Sequence, residues 1–357
     1  AGVGAGVKAR GHRPEECGRA VRRGVRFLLR FARRPEHFRA WGSDFLNYFY
    51  VVADTAADAA LRRWARAEGL ALARRWRSRN PAVAADADAD AVYDLGYGSL
   101  YADLLGARDP ALKAQLKSAA RRFPAEDFLG FDPAREPPPG DVPDACRCGL
   151  WNERGRKTCA GCRRRLPMMS RYLVWYVALI RAYMGARYGL SFGARYADVL
   201  RRLPALYPYP AARADADFVD AAYAVTHVVY TLNDYNVYRL RPEWSPRELA
   251  FVKRHTAGAV AAEDAEMVGE FLECLKCFGL DGRSPLVRAG TDFLLACQRP
   301  DGGWGETDSD NVYANYHTTL AATGGLMEVR WRGEGLAFPG LKLPPSRRAM
   351  PGRKAGR

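Results

Sequence analysis

The amino-acid sequence predicts an all-α protein whose helices form a closed ring of helical hairpins. Helix-favouring Ala, Leu and Arg dominate the chain, and runs of β-branched residues are scarce. Two segments at opposite ends of the chain, residues 21–34 and 287–300, are identical at seven of fourteen positions. Such a repeat is expected when the last hairpin of a ring packs beside the first.

The apolar segments between these ends predict further helices, which pair into about five to six hairpins. Residues 1–16 are rich in Gly, Ala and Arg and are expected to form a flexible N-terminal segment. The ring domain is expected to span residues 17–335, and residues 336–357 to form a basic tail rich in Pro and Gly. The predicted helices are residues 41–61, 59–76, 91–105, 110–122, 168–188, 196–206, 217–232, 246–262, 264–278, 285–298 and 312–328.

Residues 298–304, Gln-Arg-Pro-Asp-Gly-Gly-Trp, predict a turn between the last two helices. Pro300 cannot donate a backbone hydrogen bond and therefore ends the first of them. Gly302 and Gly303 allow backbone angles that other residues avoid, and Trp304 supplies a large apolar side chain to pack against the neighbouring hairpin. The segment resembles the QW motif of α/α-toroid proteins, the superfamily of terpene cyclases and protein prenyltransferase β-subunits.

Tyr316, His317 and Thr318 also resemble the Tyr-His-Thr sequence of prenyltransferase β-subunits, whose histidine is a zinc ligand. The two resemblances together imply an (α/α) toroid and a metal-ligand role for His317. They make a terpene cyclase-like or prenyltransferase-like enzyme one alternative function, with isoprenoid-like compounds as one substrate class. Against this alternative, we find a single QW-like motif and no Asp-x-Asp-Asp motif.

A segment between the predicted hairpins, residues 132–165, has Pro-rich flanks and contains Cys146, Cys148, Cys159 and Cys162. Two close cysteine pairs can bring four thiolates to one tetrahedral zinc ion. The spacing of the last three of these cysteines resembles the second half of a RanBP2-type zinc finger. We therefore expect a zinc-ribbon-like insertion whose zinc is structural and takes no part in catalysis.

A second metal site is predicted in the centre of the ring. His227 and His317 lie on apolar helices ninety residues apart, a separation of two hairpins, and Glu270 lies about midway between them. If their helices are successive inner helices, the three side chains face one cavity. They would then bind a divalent ion, zinc or iron, and leave positions open for water, oxygen or substrate. The alternative for each histidine is a core residue satisfied by a hydrogen bond.

Two acidic residues are candidates for acid–base catalysis beside this metal. Glu266 shares a helix face with Glu270, and Asp234 lies shortly after the helix that carries His227. Asp234 is alternatively a helix-end cap. The leading hypothesis is therefore a metal-dependent enzyme acting on a small or hydrophobic substrate in the cavity. Hydrolase, lyase or cyclase, and oxygenase chemistry all stay open.

Composition supports a second class of function. The net charge is +15, which suits a nucleic acid or another anionic surface, although Arg is spread over many helices. The alternative hypothesis is thus a non-catalytic helical scaffold whose zinc loop and basic surface bind a protein or RNA partner.

Cysteine usage and hydropathy bear on location. Eight cysteines with two Cys-x-x-Cys pairs favour metal binding in a reducing intracellular compartment, with the cytoplasm as the default. No apolar run reaches the roughly 18 residues of a transmembrane helix. The chain begins at Ala1 without Met, so organelle targeting by a segment already removed stays open.

Overall fold

The computed structural model describes residues 13–150, 152–306 and 311–344, and within these ranges it contains α-helices and no β-strand. This confirms the predicted all-α class. Residues 1–12 and 345–357, which hold most of the expected N-terminal segment and tail, lie outside the described residues. The helices are α1 (Pro14–Arg33), α2 (Pro35–Thr55), α3 (Ala59–Arg79), α4 (Ala89–Leu105), α5 (Pro110–Ala120), α6 (Ala125–Leu129), α7 (Arg171–Tyr188), α8 (Tyr196–Leu200), α9 (Phe218–Leu232), α10 (Pro246–Ala261), α11 (Ala265–Cys277), α12 (Pro285–Cys297) and α13 (Val312–Leu326).

The helices are arranged as a closed ring. Six of them, α2, α4, α7, α9, α11 and α13, surround a central cavity, and each from α2 to α13 packs on the next along this series. The long helices α3, α10 and α12 pack outside them, and α1 contacts both α2 and α13. The side chains of Tyr48 on α2 and Thr323 on α13 complete the closure, since their hydroxyls lie 2.8 Å apart.

The QW-like turn joins the last hairpin to the first helix. Gln298 donates from Nε2 to the carbonyl of Ala20 on α1, at 2.9 Å. Trp304 is fully buried and donates from its indole Nε1 to the carbonyl of Leu294, at 2.7 Å. The backbone N–H of Trp304 donates to Thr319 Oγ1 of α13. The predicted packing of the Trp304 side chain is thus confirmed. Trp304 packs at the point where the ring of helices closes.

Two expected boundaries shift. Helix α1 begins at Pro14, inside the segment expected to be flexible, and residues 336–344 pack on the ring rather than starting a tail. Ala337 donates from its backbone to the carbonyl of Leu232, and the ring of Phe338 lies 5.1 Å from that of Tyr196. The apolar side chains of residues 336–344 pack on the core. The Pro and Gly content that predicted a tail gives no sign of this packing. Among the described helices, none has the length and hydropathy to cross a bilayer.

We predict that Gly24→Ala on α1 destabilises the protein by about 2 kcal/mol, because a methyl group there overpacks the ring closure. A Cβ at this position would lie 2.9 Å from Cζ3 of Trp304 and closer still to Thr323. Gly18 on the same helix is the matched control, since its Cβ would approach nothing nearer than Arg22 Nη2 at 3.6 Å. Urea unfolding should show Gly18→Ala neutral or stabilised by about 0.5 kcal/mol. Equal effects of the two substitutions would contradict this account of closure.

Candidate metal and acid–base site in the central cavity

The ring encloses a cavity of about 980 Å³. Its wall combines aromatic rings with carboxyl groups, and the histidines His227 and His317 are also part of it. A cavity of this size accommodates a small organic molecule. The aromatic lining residues are Phe38, Trp41, Tyr48, Trp76, Tyr93, Tyr97, Tyr230, Tyr235, Tyr313 and Tyr316, and the acidic ones are Asp44, Asp94, Glu270 and Glu273.

Three side chains on adjacent helices form one group of potential metal ligands. Glu266 and Glu270 project from the same face of α11, and His317 projects from α13. One ligand atom from each lies within 4.8 Å of the others. Two carboxylates and an imidazole suit zinc, iron or manganese by their ligand chemistry.

Glycine allows α11 and α13 to approach closely enough to form this group. A Cβ on Gly269 would lie 2.7 Å from the backbone N of Ala322 and closer to the carbonyl of Ala321. A Cβ on Gly325 would lie 2.6 Å from the carbonyl oxygen of Gly269. Any larger residue at either position therefore forces the helices apart.

Hydrogen bonds orient both carboxylates. Tyr223 on α9 donates to Glu266 Oε1 at 2.5 Å, and Thr318 donates to Glu266 Oε2 at 3.2 Å. Thr226, also on α9, donates to Glu270 Oε2 at 2.6 Å. His317 Nδ1 lies 3.0 Å from Glu266 Oε1 but is not aligned with it as a hydrogen bond. The nitrogen and the oxygen can therefore both face one ion.

Burial and mutual charge set unequal proton affinities in the group. Burial raises the pKa of Glu270 to about 8. Burial also acts to raise the pKa of Glu266, but the adjacent His317 outweighs it and holds that pKa at about 2. Burial lowers the pKa of His317, yet the carboxylates of Glu266 and Glu270 outweigh this and raise it overall. One ionised carboxylate, one protonated carboxyl and an imidazole that gains charge readily thus share the metal-free site.

The structure brings together only part of the predicted ligand set. Glu270 and His317 meet as expected, but Glu266, predicted as an acid–base residue, takes the place predicted for His227. His227 lines the cavity one helix away, where its Nδ1 lies 2.8 Å from the carbonyl of Tyr223. Its ring stacks on that of Tyr176, with centroids 5.2 Å apart, and burial lowers its pKa to about 4. His227 is therefore a neutral wall residue, in line with the hydrogen-bonded alternative.

Asp234 does not lie beside the metal group. It accepts a hydrogen bond from Tyr183 and lies 3.0 Å from Nε of Arg187 on α7. These partners occupy its carboxylate at the ends of α7 and α9. The predicted acid–base role of Asp234 at the cavity metal therefore has no geometric support.

The sequence reasoning missed Asp44 on α2. Tyr316 on α13 donates to Asp44 Oδ2 at 2.5 Å. Asp44 therefore contacts the residue that immediately precedes His317. Burial raises the pKa of Asp44, despite this hydrogen bond and the nearby imidazole. An acidic residue inside the apolar helix α2 was the signal available in the sequence.

The four cysteines of the insertion meet as predicted. Cys146 Sγ lies 3.4 Å from Cys162 Sγ, and Cys148 Sγ lies 3.6 Å from Cys159 Sγ. Sulfur atoms about 3.8 Å apart are expected around a tetrahedral ion with metal–sulfur bonds of about 2.3 Å. The one-residue spacer of the first pair is accommodated by a turn at Gly149, whose φ is 82°.

The chain matches one family model over part of its length and is similar to two solved structures. Residues 182–326 match a family described as a domain of unknown function (DUF6895), which is less than half of the chain but includes Glu266, Glu270 and His317. No curated protein matches. Two solved structures are similar over 88% of this chain at 13% identity and a TM-score of 0.38. They are the type II terpene cyclase MstE from Scytonema in its apo form, covered over 98% of its chain, and an arginine-to-alanine variant with geranylgeranyl dihydroxybenzoate, covered over 97%.

We predict that Glu270→Gln makes the folding stability of the metal-free protein less dependent on pH. Glu270 has a folded pKa of about 8 against an ordinary 4.5, so the unfolded chain ionises first and wild-type stability falls as pH rises between these values. The glutamine variant lacks this loss. Its free energy of unfolding, relative to that of wild type, should therefore rise by roughly 3 kcal/mol between pH 5 and pH 8. Urea unfolding at both pH values measures the gain, with the exposed Glu243→Gln as control. A stability difference independent of pH would contradict the assignment.

Proposed function

We propose that this protein is an enzyme whose active site is the central cavity and whose Glu266, Glu270 and His317 bind a divalent metal ion. The observation that carries the proposal is the convergence of three ligand atoms within 4.8 Å, two of them on Glu270 and His317, which line the cavity. The donor chemistry fits zinc or iron, and hydrogen bonds from Tyr223, Thr226 and Thr318 hold the carboxylates in place.

The neighbouring side chains suit acid–base chemistry. A bound ion would supply Lewis acidity or activate water. Asp44 is a carboxyl on the cavity wall whose pKa burial raises and whose Oδ2 accepts from Tyr316, the residue before His317, so it is placed to exchange a proton with a bound molecule. We therefore assign the acid–base role to Asp44 in place of Asp234.

The lining favours a small hydrophobic substrate. Aromatic rings from four of the six inner helices face the cavity. Its volume of about 980 Å³ suits a molecule of at least the size of a typical drug. Isoprenoid-like compounds are the first class that we would test.

We further propose that Cys146, Cys148, Cys159 and Cys162 bind a structural zinc ion. Their sulfur separations support this, since they are close to those expected around one tetrahedral zinc ion. The site has all four of its positions filled by protein, so it would order the insertion and take no part in catalysis. Exposed basic residues beside it keep a scaffold role as the second candidate; they are Arg147, Arg156, Lys157, Arg163, Arg164 and Arg165.

We predict that wild type carries two metal sites and that His317→Ala loses only the cavity metal. His227→Ala is the matched control and should retain both ions, since His227 lies outside the group. Cys148→Ser with Cys162→Ser should lose only the loop zinc. Elemental mass spectrometry of the purified proteins measures the metal content, and circular dichroism checks their folding.

Two results would count against the cavity site. Equal metal content in wild type and in folded His317→Ala protein would leave the zinc-loop scaffold as the better account. Equal losses of cavity metal from His227→Ala and His317→Ala would instead support the ligand set predicted from the sequence, which includes His227.

A further inference from the structure

One corner of the cavity contains polar groups that neither the metal group nor Asp44 uses. Asn236, just after α9, and Glu273 on α11 form this corner together with the rings of Tyr48, Tyr230 and Tyr235. The rings of Tyr230 and Tyr235 have centroids 5.8 Å apart. We call these five residues the tyrosine corner.

The backbone at the corner adopts an unusual conformation. Asp234, Tyr235 and Asn236 have φ values of 59°, 50° and 70°, in a region that residues other than glycine rarely occupy. The side chain of the buried Asn233 holds this segment by accepting from the N–H of Asn236 at 3.0 Å. Such conformations cost energy and cluster at binding and catalytic sites. Here the conformation places Tyr235 and Asn236 on the cavity wall.

Asn236 presents an acceptor for which the described residues supply no donor. Its side chain is only 3% exposed, and its Oδ1 has no hydrogen-bond partner among the described residues. Buried polar atoms are nearly always hydrogen-bonded, and the exceptions need an explanation. Because the residue lines the cavity, a donor on a bound molecule would satisfy this oxygen.

Glu273 adds a second acceptor at the same corner. Gly324 leaves room for its carboxyl, since a Cβ there would lie 2.6 Å from Glu273 Cδ. Burial raises the pKa of Glu273 to about 7, although hydrogen bonds from Tyr230 and Asn236 oppose this. Lys276, one turn further along α11, donates to the carbonyl of Met327 and lies 3.9 Å from Glu328. Lys276 is thus engaged elsewhere, and the Glu273 carboxylate, which can accept about four hydrogen bonds, keeps acceptor capacity for a cation in the cavity beyond the bonds from Tyr230 and Asn236.

We propose that the tyrosine corner binds the ammonium group of an organic amine, so that the substrate is a hydrophobic molecule carrying a primary amine. An ammonium has three N–H donors and no acceptor, which matches Asn236 Oδ1 and the Glu273 carboxylate. Tyrosine rings around a desolvated cation add cation–π attraction. The inference rests on the proposed function only in taking the cavity as the substrate site.

Isothermal titration calorimetry tests this with phenethylammonium chloride and its uncharged counterpart phenethyl alcohol, at about pH 8, above the pKa of Glu273. Wild type should bind the ammonium at least about 10-fold more tightly than the alcohol, as expected for charge-assisted hydrogen bonds. Glu273→Gln should abolish this preference. Asn236→Gly, which suits the φ of 70°, should weaken ammonium binding about 5-fold.

Asp94→Asn is the matched control, because Asp94 lines the same cavity but is not part of the corner. It should change ammonium affinity less than about 3-fold. Absence of ammonium binding to wild type, equal binding of the alcohol, or equal losses from Asp94→Asn and Glu273→Gln would overturn the proposal. If Glu273→Gln fails to fold, Asn236→Gly decides alone.

The same titration in His317→Ala separates this inference from the metal proposal. Ammonium preference should persist there, although the cavity metal is lost. An intact preference in a wild type that lacks cavity metal would contradict the metal proposal alone. Cavity metal in a wild type without ammonium preference would contradict the inference alone.

Discussion

The close packing of α11 against α13 is the contact on which the candidate site depends. Gly269 and Gly325 face each other there, with backbone atoms of one helix where a Cβ of the other would stand. This approach places Glu266 and Glu270 opposite His317. A methyl group at either glycine would separate the helices and disperse the ligand atoms, even if every ligand residue were kept.

Ring closure makes this site unlike a surface cluster of acids. Gln298 and Trp304 fasten the last hairpin to α1, and Tyr48 meets Thr323 across the junction. Glu270 and Asp44 are buried in the wall of the ring's cavity, and this burial raises the pKa of both. The contacts that close the ring therefore also govern the protonation of the residues inside it.

The sequence was most informative where a local pattern determines the structure. Helical periodicity gave the all-α class, and the QW-like turn located the ring closure, because Trp304 and Gln298 act over a short distance. The spacing of Cys146 to Cys162 brought four thiols together for the same reason. Repeat spacing also placed Glu270 and His317 in one cavity, as they lie on adjacent inner helices.

What the sequence could not supply depends on side-chain orientation and on distant partners. His227 was expected among the ligands because of its spacing, but the carbonyl of Tyr223 and the ring of Tyr176 hold it aside. Asp44 gained its place through Tyr316, which is far away in sequence. Asn236 is exceptional through its φ and through an Oδ1 that has no partner in the described part of the chain, and neither property is visible in the residue type.

The measurement that tests the central claim most directly is anomalous X-ray diffraction from crystals of the metal-loaded protein, with data collected on both sides of the zinc and iron absorption edges. Our account predicts an anomalous peak in the cavity between Glu266, Glu270 and His317, and a separate zinc peak among the four sulfurs of the insertion. A peak at the cysteines with none in the cavity would contradict the metal-dependent active site.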